Sequence, residues 1–291
     1  MQALNRFFEK YFMPFATKLN SIKGLIAIRD AFIQIFPLTF VGSIVVCINV
    51  VLLSSTGFIG QFLVKLIPNL DDFQAVLAPV GNGTINLMAV FIVFLIARNM
   101  ANQYKVDGLK AGLTALASFF VLYPPKVEGM LTDSYLGANG IFVAIIAGLL
   151  VGYGFSKLTK VDKLQIKMPE QVPPEVAKSF MVAIPSAILI ILTSIVSYCI
   201  SLIEPAGLNA LVYAALQAPI QSLGATPFTP LILILMAMIL WSVGIHGTFT
   251  VSPIYLTLYA SMNIANISYA AQAGTTAGSP YPYTWFALFE N

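Results

Sequence analysis

The chain has 291 residues, of which 58% are hydrophobic and only 9% charged, and its formal net charge is +3. Soluble domains carry about a quarter charged residues, so this composition excludes a fully solvated surface. Nor does so small a net charge offer the broad basic face that nucleic acid requires.

Residues 4–15, LNRFFEKYFMPF, place Leu4, Phe7, Phe8, Tyr11, Phe12 and Phe15 at helical spacing opposite Arg6, Glu9 and Lys10. This predicts a helix lying in the membrane interface; a frayed aromatic tail is the alternative. Early charges and the lack of a small-residue cleavage site argue against a secretory signal. Residues 31–53 follow with 23 uncharged positions. As a helix they measure roughly 34 Å, enough to cross the hydrocarbon layer.

Further spans are predicted near 82–97, 108–123, 134–156, 179–203 and 229–245, with loops at NLDDF (69–73) and LYPPKVEG (122–129). Pro37 and Pro185 fall inside spans and predict kinks. Cys47 and Cys199 sit singly in apolar blocks, where a thiol behaves as a small hydrophobe. The segment 156–180 is the one long charged stretch, and Pro169, Pro173 and Pro174 disfavour a continuous helix through it. It reads either as a boundary between two units or as an ordinary solvated loop.

Thirteen of the 15 basic residues fall in the N-terminal segment, around 98–110 and over 157–178. These regions alternate across the predicted spans and so share one face. By the positive-inside rule that face is cytoplasmic, as is the N-terminus.

From Pro205 to Phe289 there is no Asp, Glu, Lys or Arg, and the chain's single histidine, His246, lies in this stretch within WSVGIHGTFTVSP. A broken helix followed by glycines around a polar residue suits a re-entrant segment, whose backbone amides approach a ligand. On that reading His246 lies in a substrate site with Gly247 and the hydroxyls of Thr248, Thr250 and Ser252 close by. The alternative is a helix-end histidine bonded to backbone at the cytoplasmic interface.

Three segments, IRDAFIQIFPLTFVGSI (28–44), MPEQVPPEVAKSF (168–180) and ILWSVGIHGTFTVSPI (239–254), resemble landmarks of a bacterial phosphotransferase-system sugar permease. The likeness is to the membrane IIC component of the lactose, cellobiose and chitobiose family, and it runs along essentially the whole chain. It implies an all-α integral membrane protein of the bacterial cell membrane: a multi-span helical bundle with an interfacial N-terminal helix and a partial transport unit containing re-entrant segments. The implied organisation is an N-terminal segment over 1–30, a dimerisation bundle over 31–203 and an incomplete transport unit over 204–291.

The resemblance further implies a homodimer that binds a disaccharide and presents it to the phosphorylated cytoplasmic IIB partner, itself charged by IIA. His246 matches the family histidine near the sugar hydroxyl that receives phosphate. Arg29 matches the arginine of an IRDGF-like segment in which this chain has Ala31; as a positive-inside anchor it needs no sugar. Asn263, Asn266, Trp241 and Tyr255 offer hydrogen bonds or ring stacking to a sugar, or ordinary packing. Relatives continue well past this point with an Asn-Glu-Pro segment whose glutamate binds sugar. Glu290 does not match it, so the chain is expected to be truncated at its C-terminal end.

No cofactor or metal is expected, and covalent catalysis by this chain alone is not. It shows no nucleophile with a base partner, no metal-ligand cluster and no phosphate-cradling loop. Two other readings compete with a permease component. A non-transporting paralogue would dimerise with a full-length permease and modulate it. An ion-coupled secondary transporter would place acidic residues within its spans, and none stands there.

Overall fold

The computed structural model describes residues 21–55, 57–67, 69–124, 133–166, 168–169, 171–212, 215, 226–242, 258–259, 262–263, 266, 269 and 278–284. All regular structure among them is helical. The interfacial helix expected over 4–15 lies outside the described residues.

Helix α1 runs Lys23–Cys47 without a break at Pro37, and a π-helical turn extends it over Ile48–Leu53. A short α2, Gly60–Leu63, precedes the segment NLDDF. That segment was expected to be a loop, but Leu70–Phe73 is a 3₁₀ turn that opens a helix. Asp71 and Asp72 stand in its first turn, where carboxylates complement the helix dipole. Asp71 also accepts from the Ser55 amide at 2.8 Å and from the Gln74 side chain at 3.3 Å.

Helix α3, Gln74–Gly83, then breaks at Thr84 and resumes through a 3₁₀ turn as α4, Met88–Gln103. The Thr84 hydroxyl donates to the Val80 carbonyl at 2.7 Å, satisfying an acceptor at the interrupted end. After α4 come α5 (Gly108–Val121) and α6 (Ile141–Leu158), then α7 (Pro174–Met181) and α8 (Ala183–Ser201). The described helices close with α9 (Leu208–Val212) and α10 (Phe228–Ser242).

The segments Lys23–Leu53, Leu70–Gln103, Ile141–Leu158 and Pro174–Ser201 are long and apolar enough to cross a membrane; α5 and α10 are shorter apolar helices. The expected kink near Pro185 is a break between α7 and α8 at Val182. Proline has no amide hydrogen for the carbonyl four residues back, here Met181, and its ring crowds that carbonyl. Upstream, Pro174 occupies the first position of α7, where its missing donor costs nothing.

α4 lies at the centre of the bundle, packed against α1, α5 and α6, while α8 lies against α5 and α6. The α4–α6 seam is built from small residues. A Cβ added at Gly152 would meet the Ala97 Cα at 2.8 Å, and one at Gly148 would meet the Ile96 Cβ at 3.0 Å. With Ala144 one turn earlier, these glycines form a small-residue stripe that lets two backbones approach closely. The α1–α4 seam adds polar bonds. Buried Asn99 accepts from Gln34 at 3.2 Å and donates to the Ala27 carbonyl at 3.4 Å, and Gln103 donates to the Lys23 carbonyl at 3.0 Å.

Residues 104–107 join α4 to α5. Lys105 has φ +58°, its amide bonds the Asn102 carbonyl and the Val106 amide bonds that of Ala101, a Schellman ending with lysine in the left-handed position. Asp107 then caps α5 by accepting from the Lys110 amide at 3.1 Å and from its ammonium at 2.7 Å. Partial burial pushes the Asp107 pKa up, but the Lys110 bonds outweigh it and hold the carboxyl below its ordinary value.

The stabilisation from this cap is therefore complete above the ordinary aspartate range, about pH 4, and is lost as pH falls through the depressed folded value. Asp107→Ala is expected to cost about 1 kcal/mol at neutral pH. Thermal unfolding at pH 7 and pH 3 checks this: the gap between wild type and variant should narrow at the lower pH.

Candidate functional site

The expected site residues His246, Gly247 and Thr248 lie outside the described residues, as do Thr250, Ser252 and Tyr255. The backbone of Trp241 belongs to α10. Arg29 is placed in the second turn of α1, in the N-terminal bundle. Its Nε and Nη2 donate to the Asp30 Oδ1 at 3.0 and 2.7 Å, and its side chain is 39% exposed. That pairing leaves donors of the guanidinium fork unused, so Arg29 can bind a further acceptor without losing its partner.

Around α10 a second, smaller apolar cluster forms, apart from the main core. Leu233 and Ala237 of α10 pack with Leu258, Tyr259 and Met262, and Tyr281 lies against them. The main core draws instead on α1, α4, α5, α6 and α8 and reaches Val212. Asn266 braces the smaller cluster. Its Nδ2 donates to the Tyr281 carbonyl at 2.7 Å and its Oδ1 accepts from the Tyr281 amide at 3.0 Å. Of the two roles open to Asn266, structural bracing accounts for both of these bonds.

Sequence reasoning passed over Tyr259. It is fully buried, and its hydroxyl has no hydrogen-bond partner among the described residues. An unpaired buried hydroxyl costs about 1–3 kcal/mol, so such a group invites a partner. Tyr259→Phe is expected to leave stability equal or slightly raised. A drop in unfolding midpoint equivalent to more than about 2 kcal/mol would show instead that the hydroxyl is bonded in the folded protein.

A cavity of about 290 Å³ opens between Tyr123 at the end of α5, α8 and the turn at Pro205 and Gly207. Ser194, Ser197 and Ser201 line it from one face of α8, with Tyr198 beside them. Hydroxyls at this spacing can donate or accept towards water or a small polyol. Ser201 also bonds its own helix, donating to the Tyr198 carbonyl at 2.8 Å. Among the described residues no three of His, Cys, Asp and Glu come together as a metal site, and Cys47 and Cys199 are free and exposed.

Comparison with known proteins places the chain within one group. Residues 29–287 match the family described as phosphotransferase system, EIIC. The chain is 31% identical over 287 residues to an oligo-beta-mannoside-specific EIIC component of Bacillus subtilis (strain 168), covering 95% of this chain and 62% of that protein. It is 30% identical over 275 residues to a cellobiose-specific EIIC component of Geobacillus stearothermophilus, covering 89% of this chain and 60% of the relative.

Among solved structures, the transporter ChbC, the IIC component of an N,N'-diacetylchitobiose-specific phosphotransferase system, superposes with a TM-score of 0.83 at 30% identity. The match covers 97% of this chain and 66% of ChbC. The chain thus spans about three fifths of the length of the curated relatives it matches. Four helical segments of membrane length agree with a multi-pass membrane component.

Proposed function

Since this chain belongs to the EIIC family of the phosphotransferase system, we propose that it acts in a sugar permease that binds a β-linked disaccharide for phosphorylation by a IIB partner. The observation that carries this reading is the family match over residues 29–287. Relatives specific for cellobiose, for oligo-β-mannosides and for N,N'-diacetylchitobiose support the substrate class.

In this proposal residues 31–203 form the bundle through which two copies associate, and 204–291 carry part of the transport unit, with re-entrant segments around His246. The separate apolar cluster around α10 supports a second unit, while α9 at Leu208–Val212 still packs with the main core. The N-terminus, the 98–110 connection and the 157–178 segment face the cytoplasm, in keeping with their basic residues. His246 receives the proton of the sugar hydroxyl as its oxygen attacks the phosphoryl group on IIB. A new O–P bond forms, the phosphorus bond to IIB breaks, and IIB keeps the electron pair. Amides and hydroxyls at Gly247 and Thr248 hold neighbouring sugar oxygens, and Arg29 offers its remaining donors.

The test is equilibrium binding of labelled cellobiose and N,N'-diacetylchitobiose to the purified chain. Saturable binding is expected, weakened about tenfold or more in His246→Ala by loss of a hydrogen bond in a desolvated site. No saturable binding by a chain with intact helical circular dichroism would sink the substrate assignment for these 291 residues.

A further inference from the structure

One end of the bundle gathers positive charge around aromatic rings. The Nζ of Lys23, at the start of α1, lies 3.8 Å from the centroid of the Tyr104 ring at the end of α4. The Nζ atoms of Lys157 and Lys160, at the end of α6, lie 5.7 and 5.8 Å from the same centroid. Tyr153 closes the group edge-on to Tyr104 at 5.8 Å, with the Lys157 ammonium 5.4 Å from its own ring.

Three ammonium groups thus share one tyrosine ring. Among the described residues none of them forms an ion pair; the pairs present are Arg29–Asp30, Lys110–Asp107 and Lys178–Glu175. The nearest carboxylate in sequence, Asp162, is exposed and bridges to none of the three. Cation–π attraction offsets only part of the repulsion among three like charges held so close. An anion placed between them would remove the rest.

The helix surface next to this group is apolar and exposed. On α6, Ile146, Leu150 and Tyr153 follow at intervals of four and three residues and are 36%, 67% and 44% exposed. Lys157 continues the same face, and Lys160 follows in the turn just past the end of α6. The rise from Ile146 to Lys157 is about 16 Å, the depth of one leaflet of the hydrocarbon core. Exposed Ile22 and Leu25 flank it from α1, where a Cβ at Gly24 would lie 3.5 Å from Leu149.

We propose that the lysine cluster at the ends of α1, α4 and α6 binds the phosphate headgroup of an anionic phospholipid, its acyl chain lying along Leu150 and Ile146. The lysines supply the charge, the tyrosines sit at headgroup depth, and the apolar stripe selects a lipid over a soluble anion. The site is independent of the sugar reading, because none of its residues belongs to the proposed sugar site.

The test is native mass spectrometry of the full chain in mild detergent, doped with equal phosphatidylglycerol and phosphatidylcholine. Wild type should retain phosphatidylglycerol with a preference of about tenfold or more, as expected for several lysines at an anionic headgroup. Lys23→Gln/Lys157→Gln/Lys160→Gln should abolish that preference, and Lys163→Gln/Lys178→Gln should leave it intact. Should the triple variant fail to fold, Lys157→Gln/Lys160→Gln, which alters two exposed side chains only, carries the same expectation. Equal retention of both lipids by wild type, or an unchanged preference in the lysine variants, overturns the proposal. So does inorganic phosphate raising the unfolding midpoint as much as phosphatidylglycerol does, because the site would then serve a soluble anion.

Discussion

Gly152→Leu is expected to unfold the bundle or to trap it misassembled, the largest stability loss of any substitution considered. The added Cβ alone would lie 2.8 Å from the Ala97 Cα and 3.1 Å from both the Ala97 carbonyl oxygen and the Met100 Cβ. Two of these are backbone atoms of the central helix α4 and cannot rotate away. Three further carbons must then enter a seam that has no room for the first. Overpacking a good core costs about 1–3 kcal/mol even where side chains can adjust, so a loss of more than about 3 kcal/mol is expected here. Gly81→Ala is the contrast, because a Cβ there meets nothing within 4 Å. That substitution should be neutral or stabilising by up to about 1 kcal/mol through helix propensity. Thermal unfolding in detergent of the two variants beside wild type decides it; equal midpoints would show that the α4–α6 seam yields.

Under the proposed function, His246→Ala is expected to lower the rate of sugar phosphorylation by a IIB partner by about 10²–10⁴-fold, the usual range for a positioned general base. Sugar binding should weaken far less, since in that proposal the imidazole is one contact among several. A variant that loses binding and rate in equal proportion would make His246 a positioning contact instead of a proton acceptor. His246→Gln separates the two roles: it keeps a side chain able to hydrogen-bond the hydroxyl but cannot take its proton at neutral pH. Its rate should fall nearly as far as that of alanine while its affinity stays close to wild type. The readout is single-turnover transfer from phosphorylated IIB, with binding measured separately on the same preparations.

Much of the fold was legible because a bilayer imposes simple rules on sequence. Runs without charge must be helical where they cross, so the segments near 31–53, 134–156 and 179–203 reappear as α1, α6 and α8. Pro185 marked a break for a local reason, its missing amide hydrogen, whereas Pro37, expected to act alike, is carried inside α1. NLDDF was misjudged because Asp71 gains the Ser55 amide, a contact from 16 residues away that composition does not encode. The small stripe on α6 reads as ordinary alanine and glycine until the facing helix is known. Tyr259 and Asn266 are likewise tertiary facts. Their side chains matter through what surrounds them, the main-chain groups of Tyr281 for Asn266 and an apolar cluster for Tyr259. The expected site around His246, a lone imidazole between glycines, lies outside the described residues.

The four-residue connection after α4 bears on how the protein is made. α5 has 14 residues, about 21 Å of helix, short of the roughly 30 Å hydrocarbon layer, and it carries Lys110 near its start. Left to itself, it is a poor substrate for the insertion machinery. The left-handed Lys105 reverses the chain at once, and Gly108 sits so close to the Arg98 carbonyl and Asn102 that α5 begins already in contact with α4. The two helices are therefore expected to enter the bilayer as a hairpin, with α4 supplying the hydrophobicity that its follower lacks. Lengthening the turn by a flexible insert after Val106 should uncouple them. Protease-protection mapping during synthesis would then find α5 left outside the membrane while α4 stays in.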